Sequence, residues 1–173
     1  MLEDLIRQVV AQKKSLRAGS TGILFPPSPV TRGIPTLKVG AYHKSSPMLT
    51  VRYSLFGRWE QATHGHWLSI ADMETVWEDH TEEDLLERVK INRAACEGNW
   101  ANDAAALFRP ERLSLFAGDN NGNERIYLLW LDFEDEPEVW AYDSNGESRY
   151  RDLRSYLEAY LSDDLSASAR SWR

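Results

Sequence analysis

The segment between residues 113 and 161 constrains the fold most, because its hydrophobic and turn-forming residues follow one another as one continuous construction. Apolar alternation predicts strands, Gly- and Asn-rich stretches predict turns, and apolar residues at helical spacing predict a closing helix. In chain order we expect an apolar lead-in (Leu113–Ala117), a turn-rich loop (Gly118–Asn123) and a strand (Ile126–Leu131). These are followed by an acidic turn (Phe133–Pro137), a second strand (Val139–Tyr142), another turn (Asp143–Gly146) and an amphipathic helix (Leu153–Leu161). The acidic turn is therefore expected at the tip of a hairpin.

The first third of the chain is predicted to hold one helix, one loop and one hairpin. Apolar residues at helical spacing predict a helix over residues 2–16, and three prolines make Phe25–Val30 a loop. Apolar residues alternate in Leu37–Ala41 and again in Leu49–Leu55, which predicts two strands. The turn Lys44–Pro47 would join them into a hairpin.

Two helices are predicted in the middle of the chain. Ser69 followed by Asp72 is typical of a capping box, and Thr81 followed by Asp84 repeats the pattern for a helix that runs to about Ala95. The apolar positions of the two helices are Ile70, Met73, Val76 and Trp77 in the first, and Leu85, Leu86, Val89 and Ile91 in the second. The order of elements predicts a single α+β domain over residues 1–161, with a largely antiparallel or mixed sheet, flanking helices and a flexible tail at 162–173.

Length and composition favour a cytoplasmic protein. A chain of 173 residues is large enough to bury its own core, and no apolar run approaches the roughly 20 residues that span a bilayer. The first residues include acids where a secretion signal would have bases, and Cys96 has no second cysteine for a disulfide. Seven tryptophans supply large buried areas, and an exposed subset would suit a protein contact. Trp130 and Trp140 are expected in the core.

The charge is distributed unevenly along the chain. Residues 1–70 hold nine Lys and Arg against three Asp and Glu, whereas residues 111–164 hold five against fourteen, and the whole chain has a net charge of −7. An acidic body disfavours direct contact with nucleic acid, because phosphate contacts need Lys and Arg. It favours a basic protein partner, although excess acid also serves solubility alone.

A histidine pair is the first candidate for chemistry. His64 and His66 would lie on one face of a strand, as the start of a metal site. The nearest further ligands, Glu60, Asp72 and His80, do not have a recognised spacing. We therefore expect no metal and no cofactor.

Other motifs do not indicate catalysis. The loop Asp119–Glu124 resembles a calcium loop, but Glu124 stands where an EF-hand needs glycine and Trp130 where it needs glutamate. Cys96 is followed by Glu97 rather than by a base that would stabilise a thiolate. No nucleophile elbow, phosphate loop or dinucleotide fingerprint occurs. We expect a protein that is not an enzyme, although a triad assembled from distant residues stays open.

Two acidic groups are the candidate partner-binding residues. The first group lies at the tip of the predicted hairpin and consists of Asp132, Glu134, Asp135, Glu136 and Glu138. The second group lies on the stretch of the two middle helices and consists of Glu78, Asp79, Glu82 and Glu83. Such a rigid acidic tip would suit Lys and Arg on a partner. The alternative is that these charges solvate a turn and discourage pairing of sheet edges.

The C-terminal block resembles the SUKH superfamily, which includes bacterial toxin-immunity proteins and a fungal regulator of cell-wall synthesis. The resemblance covers residues 67–161 and rests on the order of elements, namely Trp67–Glu74 with Trp77, Leu115–Ala117, Gly118–Asn123, Ile126–Asp132, Val139–Asp143 and Leu153–Leu161. The N-terminal third diverges from the family, whose members begin with a helix, a Leu-Pro step and a second helix. Here Phe25–Pro26 is only similar to that step, and strand-like sequence follows it instead of a helix.

The resemblance implies a non-enzymatic α+β binding domain. Many bacterial relatives are immunity proteins that bind a cognate toxin, often a nuclease or deaminase, in the cytoplasm of the producing cell. The expected partner is therefore a basic toxin protein. The alternative is a regulatory or scaffold module with an endogenous partner, as in the fungal relatives. The oligomeric state stays open.

Overall fold

The computed structural model describes residues 1–16, 22–80, 109–119, 122–143 and 146–164, together with residues 84, 85, 87, 89 and 91. Within these residues the chain forms an α+β domain with four helices and a five-stranded antiparallel sheet. The helices are α1 (Leu2–Leu16), α2 (Pro47–Leu55), α3 (Ile70–Asp79) and α4 (Leu153–Ser162), and a 3₁₀ turn covers Pro110–Arg112. None of the described helices is long and apolar enough to cross a membrane.

The strands form two antiparallel sheets. The small sheet pairs β1 (Ile34–Pro35) with β2 (Tyr42–His43). The large sheet has the order β3-β4-β5-β6-β7. Its strands are β3 (His66–Trp67), β4 (Leu113–Gly118), β5 (Arg125–Leu129), β6 (Glu138–Asp143) and β7 (Gly146–Tyr150). Its last four strands are consecutive in the chain, so each pairs with the strand that follows it.

Side-chain alternation divides the core between the two faces of the large sheet. Along β5, Ile126 and Leu128 join one cluster of buried side chains, whereas Tyr127 and Leu129 join the other. The first cluster packs under α1, α2 and α4, and the second includes Leu85. Because β5 is covered on both faces, its sequence is a continuous apolar run rather than an alternation of apolar and polar residues.

The predicted hairpin over Leu37–Ala41 and Leu49–Leu55 is wrong. Leu49–Leu55 lies inside α2, which begins at Pro47 and is capped by the Ser46 hydroxyl accepting from the backbone N–H of Leu49 at 3.3 Å. Proline favours the first turn of a helix, where no intrahelical bond to its nitrogen is needed. The strand pair that exists, β1 with β2, flanks residues 37–41 instead of containing them.

A buried arginine connects α2 to the sheet. Arg52 is fully buried, and its guanidinium donates to the carbonyl oxygens of Phe56 and Gly57 at 2.7 Å and of Leu68 at 3.1 Å. Its charge also lies 4.1 Å from the ring centroid of Tyr53. Burial lowers the pKa of Arg52 to about 10, and these carbonyls and rings replace the water that the charge has lost.

The middle helices are confirmed in part. Ser69 and Asp72 form a capping box with both reciprocal bonds at the start of α3. Residues 84, 85, 87, 89 and 91 are helical, and Leu85 and Val89 are buried, but Ile91 is 59% exposed, so its predicted burial is wrong. Thr81 and the side chain of Leu86 lie outside the described residues.

The C-terminal block follows the predicted order, with one element missed. β4, β5, β6 and α4 occupy the predicted lead-in, strands and closing helix, and the loop at Phe25–Val30 and the first helix are also confirmed. The missed element is β7, which pairs with β6 from Asp143↔Gly146 to Val139↔Tyr150. The predicted tail begins where α4 ends, and residues 165–173 lie outside the described residues.

Candidate functional site

The turn between β5 and β6 carries the strongest candidate for a binding surface. Phe133 is exposed over 106% of its reference area, and its backbone has φ +68°, in the left-handed region that non-glycine residues seldom occupy. Glu134 and Asp135 follow it and are exposed. An aromatic ring thus stands in solvent on the β5–β6 hairpin, beside carboxylates. We call Asp132–Asp135 the acidic tip.

The acidic tip is held in place by the chain before β4. The Asp132 carboxylate accepts from the Arg112 guanidinium at 2.7 Å, and the same guanidinium lies 3.4 Å from the carbonyl oxygen of Trp130. The ring of Trp130 stacks on His43 with centroids 4.5 Å apart. These contacts fix the base of the turn and leave the ring of Phe133 and the carboxylates of Glu134 and Asp135 in solvent.

Two members of the predicted acidic group do not belong to that exposed surface. Glu138 begins β6 opposite Leu129 and is only 6% exposed, so it is buried rather than available to a partner. Glu136 is half-buried, and its carboxylate accepts from the backbone N–H of Met48 at 2.8 Å, in the first turn of α2. Burial raises the pKa of Glu136, while its bonds to Ser46 and Met48 oppose that rise. Glu136 therefore joins the turn to α2.

The second predicted acidic group is described in part. Glu78 and Asp79 end α3 and are exposed, whereas Glu82 and Glu83 lie outside the described residues. No hydrogen bond or ion pair between described residues joins Glu78 or Asp79 to the acidic tip. The described part of the second group is thus a pair of exposed carboxylates at the end of α3.

His64 and His66, considered as the start of a metal site, do not line the same cleft. Gly65 between them has φ +68°, and a Cβ there would lie 2.5 Å from the backbone carbon of Gly118. This turn sends the two rings to different clefts. His64 lines a cleft of about 450 Å³ beside α4, and His66 lines another of about 580 Å³ beside α3. No group of three or more metal-ligating side chains occurs among the described residues.

The first of these clefts, which we call the tyrosine cleft, contains a group of hydrogen-bonded side chains. The indole N–H of Trp67 and the hydroxyl of Tyr156 both donate to the Thr63 hydroxyl, at 2.8 and 2.5 Å. Tyr156 Oη lies 2.7 Å from His64 Nδ1, and His64 Nε2 lies 3.6 Å from an Asp143 carboxylate oxygen. Thr63 therefore joins the core at Trp67 to the tyrosine cleft.

This arrangement does not activate a nucleophile. Burial lowers the pKa of His64 and raises the pKa of Tyr156 well above its ordinary value, so both groups are held neutral. His64 Nδ1 is occupied by the buried Tyr156, and Nε2 faces Asp143 rather than Ser148, which also lines the cleft. A triad would need one imidazole nitrogen on the acid and the other on an accessible nucleophile.

The second cleft, which we call the arginine cleft, is electrically balanced. Arg58 lies 3.3 Å from Glu60 and 3.1 Å from Asp72, so its guanidinium is neutralised within the chain. His66 accepts from the backbone N–H of Gln61 at 3.0 Å. The former candidate ligands Glu60 and Asp72 are therefore partners of an arginine, and Asp72 also belongs to the capping box of α3.

Four of the five tryptophans that the structure describes are buried in the core, and Trp77 is partly buried. Trp130 and Trp140 are 7% and 1% exposed, which confirms their predicted burial. Trp59 and Trp67 are also buried, and the indole of Trp77 donates to the carbonyl oxygen of Thr36 at 2.8 Å. Among the described residues the most exposed aromatic ring is that of Phe133, which the sequence placed in the turn without a predicted role. The sequence signal for Phe133 was a large apolar residue within an acidic turn, because a turn that is only solvated needs no such residue.

Comparison with models of protein families, with curated proteins and with solved structures finds no match to this chain.

Proposed function

We propose that this chain is a non-enzymatic binding protein that docks its acidic tip onto a basic partner protein. The observation that carries the proposal is Phe133, whose ring is fully exposed at a left-handed backbone position between acidic residues. The fold gains no packing from this ring, and a left-handed phenylalanine costs about 1–2 kcal/mol relative to an ordinary conformation. A residue that costs stability and packs against nothing in the described chain fits selection for contact with another molecule.

The ring and the carboxylates would make separate contributions to binding. A buried aromatic anchor typically costs about 2 kcal/mol or more when truncated, and its loss mainly speeds dissociation. Exposed carboxylates at the rim mainly speed association, through long-range attraction that salt screens. Phe133 is therefore assigned as the anchor, and Glu134 and Asp135 as the groups that steer a basic partner. Asp132 is assigned a lesser part, because Arg112 already neutralises it.

From the resemblance to the SUKH superfamily we infer that the partner is a cognate toxin, of nuclease or deaminase type, bound in the cytoplasm of the producing cell. A nuclease cleft is basic because it holds phosphates, so an acidic hairpin suits it by charge. Binding there would block the toxin by competition with its substrate. A regulatory module with an endogenous partner would use the same surface on a different protein.

The test is co-purification of the tagged chain with the protein encoded by the adjoining gene, followed by kinetics on the purified pair. We expect Phe133→Ala to raise the dissociation rate about 30-fold, equivalent to about 2 kcal/mol. We expect Glu134→Lys with Asp135→Lys to slow association and to flatten its salt dependence. Phe25→Ala is the matched control, since Phe25 is 40% exposed but lies outside the acidic tip.

The outcomes separate the candidate functions. A toxin-like partner whose lethality is relieved by the wild-type chain, and less by Phe133→Ala, supports the immunity assignment. A housekeeping partner that is lost with Phe133→Ala supports the regulatory module instead. Partner binding that is unchanged by both tip variants would show that the acidic tip is a solvated turn.

A further inference from the structure

The arginine cleft lies between α3 and the loop that joins β4 to β5. Its volume of about 580 Å³ is within the range of pockets that enclose small molecules. One part of its wall is apolar and consists of Leu68, Val76, Leu85 and Leu115. The cleft therefore combines room for a ligand with an apolar surface on which the body of that ligand can rest.

One charged group of this cleft is not used by the fold. Arg58 is already neutralised by its two acidic partners, and the Asp119 carboxylate accepts from the backbone N–H of Glu124 at 3.2 Å. Arg125 also lines the cleft, and within the part of the chain that the structure describes its guanidinium makes no hydrogen bond and no ion pair. Such a guanidinium in the wall of a cleft can bind an anion, because it presents several N–H donors in a fixed plane.

Two glycines leave room around Arg125. Gly118 lies directly opposite Arg125 in the ladder between β4 and β5, and residues in such a pair project from the same face of the sheet. Among the described residues, a Cβ at Gly118 would come within 4 Å only of the carbonyl oxygen of Glu124, at 3.8 Å. Gly122 has φ +73°, and a Cβ there would lie 2.7 Å from Nη2 of Arg125. The loop thus places the guanidinium against Gly122 and leaves space over Gly118.

The other polar groups of the cleft indicate which anion fits. His66 Nδ1 accepts from the backbone N–H of Gln61 at 3.0 Å, so the neutral ring holds its proton on Nε2 and is a donor there. Asp72 and Asp119 line the same cleft, and their charges repel an anion more strongly as its own charge increases. A guanidinium and a further N–H donor in one cleft with two acids therefore suit a singly charged carboxylate better than a phosphate.

We propose that the arginine cleft binds a small organic acid that has one carboxylate and an apolar body. The carboxylate is held by two parallel hydrogen bonds from Arg125, with His66 as a second donor, and the body rests on the apolar wall. The acidic tip and the arginine cleft share no described residue. The two proposals therefore succeed or fail separately.

The test is a titration of the isolated full-length chain, followed by NMR of its backbone amides and its arginine Nε–H groups. The probes are hexanoate, the neutral hexanamide and inorganic phosphate. We expect hexanoate to shift the Nε–H resonance of Arg125 and the amide resonance of Gly118 in a saturable way, with a Kd of about 1 mM. Hexanamide should bind about 10-fold more weakly or less, because it lacks the charge that the guanidinium recognises.

Three variants locate the site. Arg125→Gln should weaken hexanoate about 10-fold or more and leave the urea midpoint unchanged, because the described chain loses no bond. Gly118→Val keeps Arg125 but fills the space beside it, so it should weaken hexanoate as well. Arg151→Gln is the matched control, since Arg151 is exposed and does not line the cleft.

Saturable binding of hexanoate that both cleft variants weaken, and that Arg151→Gln leaves unchanged, would support the proposal. Equal binding of hexanamide, or wild-type binding by Arg125→Gln, would overturn the anion site. Tighter binding of phosphate would overturn the assignment to a single carboxylate. The lack of a saturable shift with hexanoate up to about 10 mM, which is about tenfold above the expected Kd, would overturn the proposal altogether.

Discussion

Replacement of Phe133 by glycine should leave the protein as stable as before or slightly more stable, although a large aromatic residue is removed. The ring is exposed over 106% of its reference area, so its loss removes no packing and leaves no cavity. The backbone at φ +68° is strained for phenylalanine but accessible to glycine. Truncation of a phenylalanine in the core, by contrast, costs about 3–5 kcal/mol.

The size of the effect follows from two opposing terms. Release from the left-handed conformation contributes about 1–2 kcal/mol in favour of the glycine variant. The greater freedom of glycine in the unfolded chain costs about 0.5–1 kcal/mol. The difference is a gain between about zero and 1.5 kcal/mol, which for a chain of this length raises the melting temperature by up to about 6 °C.

The assay is urea denaturation at neutral pH, in which the midpoint and the slope are compared with those of the wild type. An unchanged slope would show that the unfolded state and the buried surface are preserved. Asp163→Gly is the control, because Asp163 is exposed at the end of α4 with φ +52° and tests the same backbone release away from the acidic tip. A Phe133→Gly variant that loses more than about 1 kcal/mol, while Asp163→Gly does not, would show that the ring packs against the fold and would refute its assignment as an anchor.

Three further predictions concern the core and its polar contacts. Arg52→Met should destabilise the fold by about 3 kcal/mol in urea denaturation, because three backbone carbonyls lose a charged donor. The variant no longer has to bury a charge, but this gain offsets only part of the loss. Arg32→Met, at an exposed position, is the control and should have little effect. Burial lowers the pKa of His64, so the unfolded state binds more protons just below about pH 6.5 and stability should fall as the pH is lowered through that range. His64→Asn replaces the imidazole with a polar amide that does not titrate and should make this decline shallower. Ser69→Ala removes one bond of the capping box with Asp72 and should cost about 1 kcal/mol without a change in the denaturation slope.

The C-terminal half of the fold could be predicted because each element there has one dominant signal. Buried strands appear as continuous apolar runs, and the turn residues between them mark the hairpins. β7 has no such signal, because Gly146–Tyr150 is a sheet edge with polar residues at its centre. Its strand character comes from pairing with β6, which is a tertiary contact rather than a local preference.

α2 was mistaken for a strand because its apolar residues fit both periods. Leu49 and Tyr53 are four residues apart and lie on the buried face of a helix, but with Val51 and Leu55 they also alternate as in a strand. Ser46 and Pro47 favoured the helix, as an N-cap followed by a proline in the first turn. The buried Arg52 concealed the pattern further, since a charged residue is normally placed on the exposed face.

The candidate site was predictable in position but not in membership. The acids of the turn were recognised from composition, yet the structure divides them, because Glu136 binds the start of α2 and Glu138 enters the sheet. Phe133 was in view, but its left-handed backbone and full exposure depend on how the turn closes, which composition does not reveal. His64 and His66 show the same limit, since the turn at Gly65 decides which cleft each ring enters.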